Sequence, residues 1–180
     1  PADGFHSAVA RLEAAGAQVD RADWAPLAEA FGMTATVYPS DAWSWWGPLV
    51  EAHGELMFSE IRDRVSAGRE VLAADYLATW RRLRALRAEW EAFIAPYDAV
   101  LSPTVQIAPP KVSDLLSDGA RYRAANIAAL RNTRMGNLMG SASLTLPTGV
   151  PSCGLMAMAP PWAEDGLLRL GVALEAALEA

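Results

Sequence analysis

The sequence predicts an α/β protein in which a mixed β-sheet is flanked by helices. Three observations lead to this prediction. Hydrophobic residues make up 52% and charged residues 20% of the 180 residues, which is enough apolar material for a sizeable core. Several segments repeat apolar residues every three or four positions, as helices do. Four short apolar segments lie between those helices, and a helix between two strands is typical of an α/β fold.

The chain begins with a predicted helix and a predicted strand. Phe5, Val9 and Leu12 lie four and three positions apart, which indicates an amphipathic helix over residues 5–15. Gly16 follows as a helix stop, because glycine adopts the left-handed conformation that ends helices. Residues 17–20 alternate briefly and predict a short strand.

The next segment, residues 26–54, is the least regular part of the sequence. Pro39, Gly47 and Pro48 predict that no single helix runs through it, since proline breaks helix hydrogen bonding. We expect short helices at residues 27–31 and 49–53. The segment is a candidate for a variable, substrate-shaping region.

Three tryptophans stand close together in this Trp-rich variable segment, at Trp43, Trp45 and Trp46. Such side chains can line a pocket for an aromatic or acyl substrate. They can equally fill a core or an interface. The sequence leaves both interpretations open.

Residues 72–97 carry the strongest helical pattern of the chain. Its apolar positions recur at three or four residues and are Leu77, Trp80, Leu83, Leu86, Trp90 and Phe93. Arg81, Arg82, Arg84 and Arg87 fall mostly between them and predict the solvated side of the helix. Pro96 is expected to end it.

Shorter strands and helices are predicted for the rest of the chain. Residues 99–101 predict a buried strand, and residues 105–110 form a proline-bounded loop. Further predicted elements are a helical turn at 113–117, a helix at 122–138, strands at 142–146 and 154–158 joined by a Pro-Gly turn, and a helix at 167–178.

Three motifs in the second half carry a family resemblance. Residues 97–104 read Y-D-A-V-L-S-P-T, residues 131–149 read R-N-T-R-M-G-N-L-M-G-S-A-S-L-T-L-P-T-G, and residues 164–170 read E-D-G-L-L-R-L. In this order and spacing they resemble the C-terminal part of the amidase signature family. The resemblance implies that residues 1–180 are a single C-terminal portion of an amidase-like domain. It also implies hydrolysis of non-peptide amide bonds by a Ser-Ser-Lys mechanism.

The catalytic residues of that family have no counterpart in this chain. The single lysine is Lys111, in a proline-flanked loop where it stays charged and makes a poor base. Ser141 and Ser143 match a structural strand entry, where small residues allow helix and strand to approach. The Gly/Ser-rich segment of the nucleophile is not present. We therefore assign no catalytic residue here and expect the chain by itself to be inactive. The alternative is a non-catalytic binding or scaffold protein derived from a truncated amidase.

The 131–137 segment is the candidate substrate-binding surface. Thr133 and Asn137 lie four residues apart and share a helix face. Arg131 and Arg134 beside them are suited to a carboxylate or polar amide. The alternative is that Thr133 and Asn137 fasten the helix to the following strand. Trp45 and Trp46 complete the set of candidate substrate-binding residues.

One position bears on the branch of the family. In the glutamine-using tRNA amidotransferase branch an acidic residue precedes the threonine by three positions, and here that position is Leu130. This departure favours the broad amidase branch.

Charge and cysteine content limit the partners. A net charge of -6 argues against nucleic acid, because phosphate contacts need a positive face. The one cysteine, Cys153, lies in an apolar run and is predicted to be a buried thiol.

We expect no metal, no cofactor and no membrane contact, and a cytoplasmic setting. The expected partners are a small-molecule amide substrate and either the N-terminal catalytic half of the amidase or a second copy.

Overall fold

The computed structural model describes residues 2–179. The chain forms two compact units, Pro1–Trp24 with Glu89–Ala180, and Ala25–Ala88. We call them the sheet unit and the helical unit. The helices are α1 (Ala2–Ala14), α2 (Leu27–Gly32), α3 (Thr34–His53), α4 (Ser59–Ser66), α5 (Ala73–Ile94), α6 (Val112–Ser117), α7 (Gly119–Ala129), α8 (Arg131–Met139) and α9 (Glu164–Glu179). The strands are β1 (Val100–Pro103), β2 (Ala142–Pro147) and β3 (Gly154–Ala159).

The sheet unit contains a three-stranded sheet in the order β1-β3-β2. The predicted α/β class with flanking helices is confirmed. Both ladders are antiparallel, so the described sheet is not the mixed sheet that we expected. The crossover through α6, α7 and α8 does bring β2 back in the same direction as β1. The two strands do not pair, because β3 folds back from β2 and lies between them.

One face of this sheet builds the core of the unit. Residues directly opposite each other in a ladder share a face, which places Leu101, Ala157 and Leu144 in one row. Helices α1 and α9 pack on this face through Ala8, Leu12, Leu167, Leu174 and Leu178. Gly171 of α9 allows close packing, since a Cβ there would lie 2.9 Å from Leu144 Cδ2.

The half-buried side chain of Arg11 fastens α1 to two distant segments. Arg11 Nη1 donates to the Leu178 carbonyl near the end of α9. Arg11 Nη2 donates to the Thr148 carbonyl in the turn between β2 and β3. Thr148 is itself buried, and its hydroxyl donates to the Cys153 carbonyl at 2.9 Å. Helix α1 is therefore bound to the unit by polar as well as apolar contacts. The predicted burial of Cys153 is confirmed.

The helical unit is built around α3, which corrects one prediction. This helix runs unbroken through Pro39 and Pro48, where an irregular stretch and then a short helix at 49–53 were expected. The short helix expected at 27–31 is confirmed by α2. A proline removes one helix hydrogen bond, and packing of the opposite side of the helix offsets that cost. Val37, Gly47 and Val50 form the buried side.

The buried side of α3 packs on α4 and on a 3-10 turn at Ala67–Glu70. The turn approaches α3 very closely at Gly68. A Cβ built on Gly68 would lie 2.0 Å from the Pro39 carbonyl oxygen, so only glycine fits there.

Two further predictions about secondary structure were wrong. Residues 17–20 form no strand, and none of the described strands pairs with them. The helix predicted over residues 122–138 is two helices, α7 and α8, which meet at Leu130. The prediction for residues 72–97 is confirmed by α5, and the hairpin of β2 and β3 is confirmed as well. None of the described helices is long and apolar enough to cross a membrane.

Candidate functional site

Helix α8 carries four of the six predicted substrate-binding residues. It begins directly after Leu130, and it ends at Gly140, whose φ of 70° is the left-handed conformation of a glycine stop. The chain then turns directly into β2. Helix α8 is therefore bounded by a helix break at Leu130 and by a tight turn at Gly140.

The inward side of α8 lies against the second face of the sheet. A Cβ on Gly136 would lie 3.0 Å from Ser143 Oγ, so helix and strand approach closely there. Asn132 Nδ2 donates to the Pro103 carbonyl at 2.6 Å, which joins α8 to the end of β1. The expected role of Ser143 as a small residue at a close approach agrees with this packing. Asn132 was missed by the sequence analysis, although its position four residues before Gly136 is a usable signal.

Three predicted residues share the outward side of the helix. Each residue advances about 100° around an α-helix, so Thr133, Arg134 and Asn137 lie within one sector opposite Asn132 and Gly136. Arg131 lies on the flank beside them and is exposed. The structure therefore brings Arg134, which the sequence placed only nearby, onto the same face as Thr133 and Asn137.

The contacts of Thr133 bear on its alternative role, which is to fasten α8 to the following strand. Thr133 Oγ1 donates to the Leu130 carbonyl at 3.2 Å, a bond within the first turn of its own helix. The bond to the sheet comes from Asn132 instead. Thr133 thus does not fasten α8 to the following strand.

Charge on the outward side is positive. Arg134 is half-buried, and within residues 2–179 its guanidinium has no carboxylate partner. The first turn of α8 contains no acidic residue. A half-buried guanidinium without an acid is suited to bind a carboxylate through two parallel hydrogen bonds.

Hydroxyl groups line the sheet face under α8. Ser102, on β1, and Thr145, on β2, flank Met156 in one cross-strand row. The hydroxyls of Ser102 and Ser141 are buried and have no hydrogen-bond partner in the described part of the chain. An activated serine needs a base in hydrogen-bond contact with its hydroxyl. Neither hydroxyl has such a contact here.

The lysine and both histidines are solvent-exposed. Lys111 is exposed at the start of α6, and His6 and His53 are exposed too. Residues 2–179 contain no cluster of His, Cys, Asp and Glu side chains that could hold a metal ion.

The tryptophans of α3 belong to the helical unit. Trp45 is 80% exposed and Trp46 is 56% exposed, so neither fills a core. Trp43 is half-buried and packs over Gly47, with the Arg69 guanidinium carbon 5.7 Å from its ring centre. A role of Trp45 and Trp46 in substrate binding stays a prediction.

Relatives of known sequence share most of this chain. It is 32% identical over 181 residues to 2-amino-5-chloromuconic acid deaminase of Comamonas testosteroni, covering 97% of this chain and 39% of that protein. It is 32% identical over 157 residues to a glutamyl-tRNA(Gln) amidotransferase subunit of Jannaschia sp. (strain CCS1), covering 82% of this chain and 31% of that relative. The chain therefore spans about two fifths or less of the length of these relatives.

Solved structures share the fold at low identity. The Kluyveromyces lactis allophanate hydrolase superposes with a TM-score of 0.82 at 18% identity, over 96% of this chain and 29% of that chain. A crystal structure of an amidase superposes with a TM-score of 0.79 at 22% identity, over 97% of this chain and 41% of the other. The sequence model of the Amidase family matches residues 2–168. The motifs, the fold and this match over nearly the whole chain agree, and the protein belongs to the amidase family.

Proposed function

We propose that this chain is the C-terminal part of an amidase-like hydrolase that cleaves non-peptide carbon–nitrogen bonds. Its role is to wall one side of the substrate cleft, while the Ser-Ser-Lys catalytic residues lie outside this chain. The observation that carries the proposal is the family match over residues 2–168 in a chain whose only lysine, Lys111, is exposed. A lysine that serves as the base must lie in hydrogen-bond contact with its serine, and among the described residues Lys111 makes no such contact.

The reaction that follows from family membership is acyl transfer to serine. The serine hydroxyl attacks the amide carbonyl, the amine or ammonia leaves with a proton, and water then hydrolyses the acyl-enzyme ester. Leu130, where the transamidating branch is expected to have an acidic residue, favours water over transfer to another substrate.

The outward side of α8 supplies the substrate-binding part of the proposal. Arg134 and Arg131 bind a carboxylate or the polar end of the substrate, and Thr133 and Asn137 lie beside it. Two findings support this: the half-buried guanidinium of Arg134 without a described acid partner, and the name of the Comamonas testosteroni relative, whose substrate is an acid. A charge-assisted bidentate contact is also geometrically selective.

A reconstitution experiment tests whether the catalytic residues lie outside this chain. Amide turnover is measured for the 180-residue chain alone and after co-expression with the N-terminal half of an amidase of this family. We expect no turnover from the chain alone and turnover in the combined protein. Turnover of a simple amide by the purified chain alone would overturn the proposal. Absence of activity in the assembled protein would favour the non-catalytic scaffold.

Substitution of Arg134 by Gln in the active assembly tests the binding surface. Loss of a charge-assisted contact is worth about 1.5–3 kcal/mol, so kcat/KM for an acidic amide should fall roughly 10- to 100-fold. A neutral amide of the same size should be affected far less. Arg169→Gln, at an exposed position on α9, is the matched control. Equal losses for the acidic and neutral amides would contradict a carboxylate contact.

A further inference from the structure

The two halves of α8 are held to the rest of the sheet unit in different ways. Its fully buried residues are Gly136, Leu138 and Met139, which all lie in the second half of the helix. The tight turn at Gly140 then joins this half directly to β2. The first half, residues 131–135, contains no fully buried residue. Packing therefore fixes the second half of α8, and the first half depends on other contacts.

The helices that precede α8 provide no buried anchor for its first half. None of the described residues of α6 or α7 is fully buried. The break at Leu130 also separates α7 from α8, so the two are not one continuous rod. The position of the first half of α8 is therefore not fixed by burial of the helices before it.

The side chain of Asn132 joins this first half to the edge of β1. Its Nδ2 donates to the Pro103 carbonyl at 2.6 Å. The next N–H along the chain, that of Thr104, donates to the Gly154 carbonyl on β3. The C=O and N–H of one trans peptide point in opposite directions, so the Pro103 carbonyl points away from β3. None of the described strands pairs with that edge of β1, and the Asn132 amide binds the carbonyl there.

The Asn132 bond lies close to Arg134 but on the other side of the helix. Asn132 is about 6 Å from Gly136 along the helix axis, at 1.5 Å per residue, and Arg134 lies midway between them. The bond to Pro103 and the close approach at Gly136 thus hold the helix before and after Arg134. Without that bond α8 can tilt about Gly136, and the Arg134 guanidinium moves with the helix.

We propose that Asn132 is a positioning residue for substrate binding. It fixes the direction of the Arg134 guanidinium through the bond between α8 and β1, and it does not touch the substrate. This inference rests on the proposed function of Arg134 as a carboxylate ligand. A bidentate guanidinium–carboxylate pair has a fixed geometry, so a small displacement of either group weakens it. Discrimination between acidic and neutral amides therefore depends on a contact on the far side of the helix.

Steady-state kinetics of Asn132→Leu in the active assembly test the proposal. Leucine has a similar shape and no donor group. We expect kcat/KM for an acidic amide to fall roughly tenfold, because a misplacement of about 1 Å is enough for a loss of this size. KM should account for most of the loss, since a carboxylate remote from the reacting bond is bound equally in substrate and transition state. A neutral amide of the same size should change less than about twofold, because it makes no such contact.

A double-mutant cycle with Arg134→Gln separates positioning from a general structural role. In the Arg134→Gln background, Asn132→Leu should have no further effect on the acidic amide, because the group that it positions is already absent. The matched control is Gln106→Leu, which also removes a side-chain amide, at an exposed site shortly after β1. This control should leave the kinetics of both amides unchanged.

Amide hydrogen exchange of the same assembly measures the contact independently of activity. Protection of residues 134–136 should fall in Asn132→Leu and stay native in Gln106→Leu, because the first half of α8 then opens more often. Unchanged protection in Asn132→Leu would show that other contacts hold this half and would overturn the proposal.

The kinetic outcomes distinguish this inference from the function on which it rests. Equal losses for acidic and neutral amides, or additive losses in the cycle, would reduce Asn132 to a structural residue. Native kinetics of Asn132→Leu beside a selective loss in Arg134→Gln would overturn the inference and leave the proposed function standing. If Arg134→Gln itself has no selective effect, the proposed carboxylate contact fails, and the positioning role fails with it.

Discussion

Replacement of Arg11 by Met tests whether one guanidinium holds the sheet unit together. Its two donor groups reach the carbonyls of Leu178 and Thr148, which are 167 and 137 positions away along the chain. Loss of the guanidinium leaves both carbonyls without this partner. The carbonyl near the end of α9 also loses a cation at the negative end of the helix dipole.

The expected magnitude follows from the balance of these bonds. A hydrogen bond from a charged donor contributes about 1.5–3 kcal/mol, so the two together contribute roughly 3–6 kcal/mol. Arg11 Nε is buried without a hydrogen-bond partner in the described chain, and this opposes the gain by about 1–2 kcal/mol. Methionine keeps most of the apolar packing of the side-chain stem. We expect the free energy of unfolding to fall by about 2–4 kcal/mol, which is a large fraction of a typical total.

Urea unfolding followed by circular dichroism measures this loss. Arg11→Lys should recover only part of it, because one ammonium group cannot reproduce the guanidinium fork. Arg169→Met removes an exposed arginine of α9 and should change the unfolding free energy by less than about 0.5 kcal/mol. An Arg11→Met variant as stable as Arg169→Met would refute the reasoning that these two contacts bind α1 to the unit.

Two further predictions concern the helical unit. Gly68→Ala should cost about 3 kcal/mol or more in unfolding free energy, because its Cβ would overlap the Pro39 carbonyl, and overpacking against backbone cannot relax. Gly32→Ala, where no atom lies within 4 Å of the added Cβ, should be neutral or slightly stabilising in the same urea experiment. Equal stability of the two variants would contradict the close approach at Gly68. The Arg82 guanidinium, which donates to both carboxylate oxygens of Glu29 at 2.7 Å, lowers the pKa of Glu29. A lowered pKa in the folded state adds stability above the unfolded value of about 4.3 and loses it as pH falls through the folded value. Glu29→Gln should therefore be slightly less stable than the native chain at neutral pH and equal to it in acid, as measured by thermal unfolding at several pH values. A difference that persists at the lowest pH would assign the effect to packing instead.

Local patterns in the sequence were sufficient for several elements. Helix α5 was predicted because its apolar residues, from Leu77 to Phe93, repeat over more than four helical turns, and so long a repeat is typical of a helix. The hairpin of β2 and β3 was predicted because two short apolar runs flank a segment of turn-forming residues. The family was recognised from three motifs in a fixed order, which needs no knowledge of contacts.

The candidate site was only partly predictable. Thr133 and Asn137 share a face by helical spacing alone. That Arg134 joins them depends on which side of α8 meets the sheet, and Gly136 and Asn132 decide that through their contacts with Ser143 and Pro103. The break at Leu130, which separates α7 from α8, has no strong signal in the sequence, since neither proline nor glycine occurs there.

By itself, the sequence determined the family, the α/β class and the helices with strong periodicity, because these depend on neighbours within a few residues. Tertiary structure alone decided that α3 continues through Pro39 and Pro48, that Trp45 is exposed, and that Arg11 binds carbonyls more than 130 positions away. The physical reason is the same in each case. The cost of a lost helix bond or a buried charge is local, whereas the packing and hydrogen bonds that offset it come from residues distant along the chain.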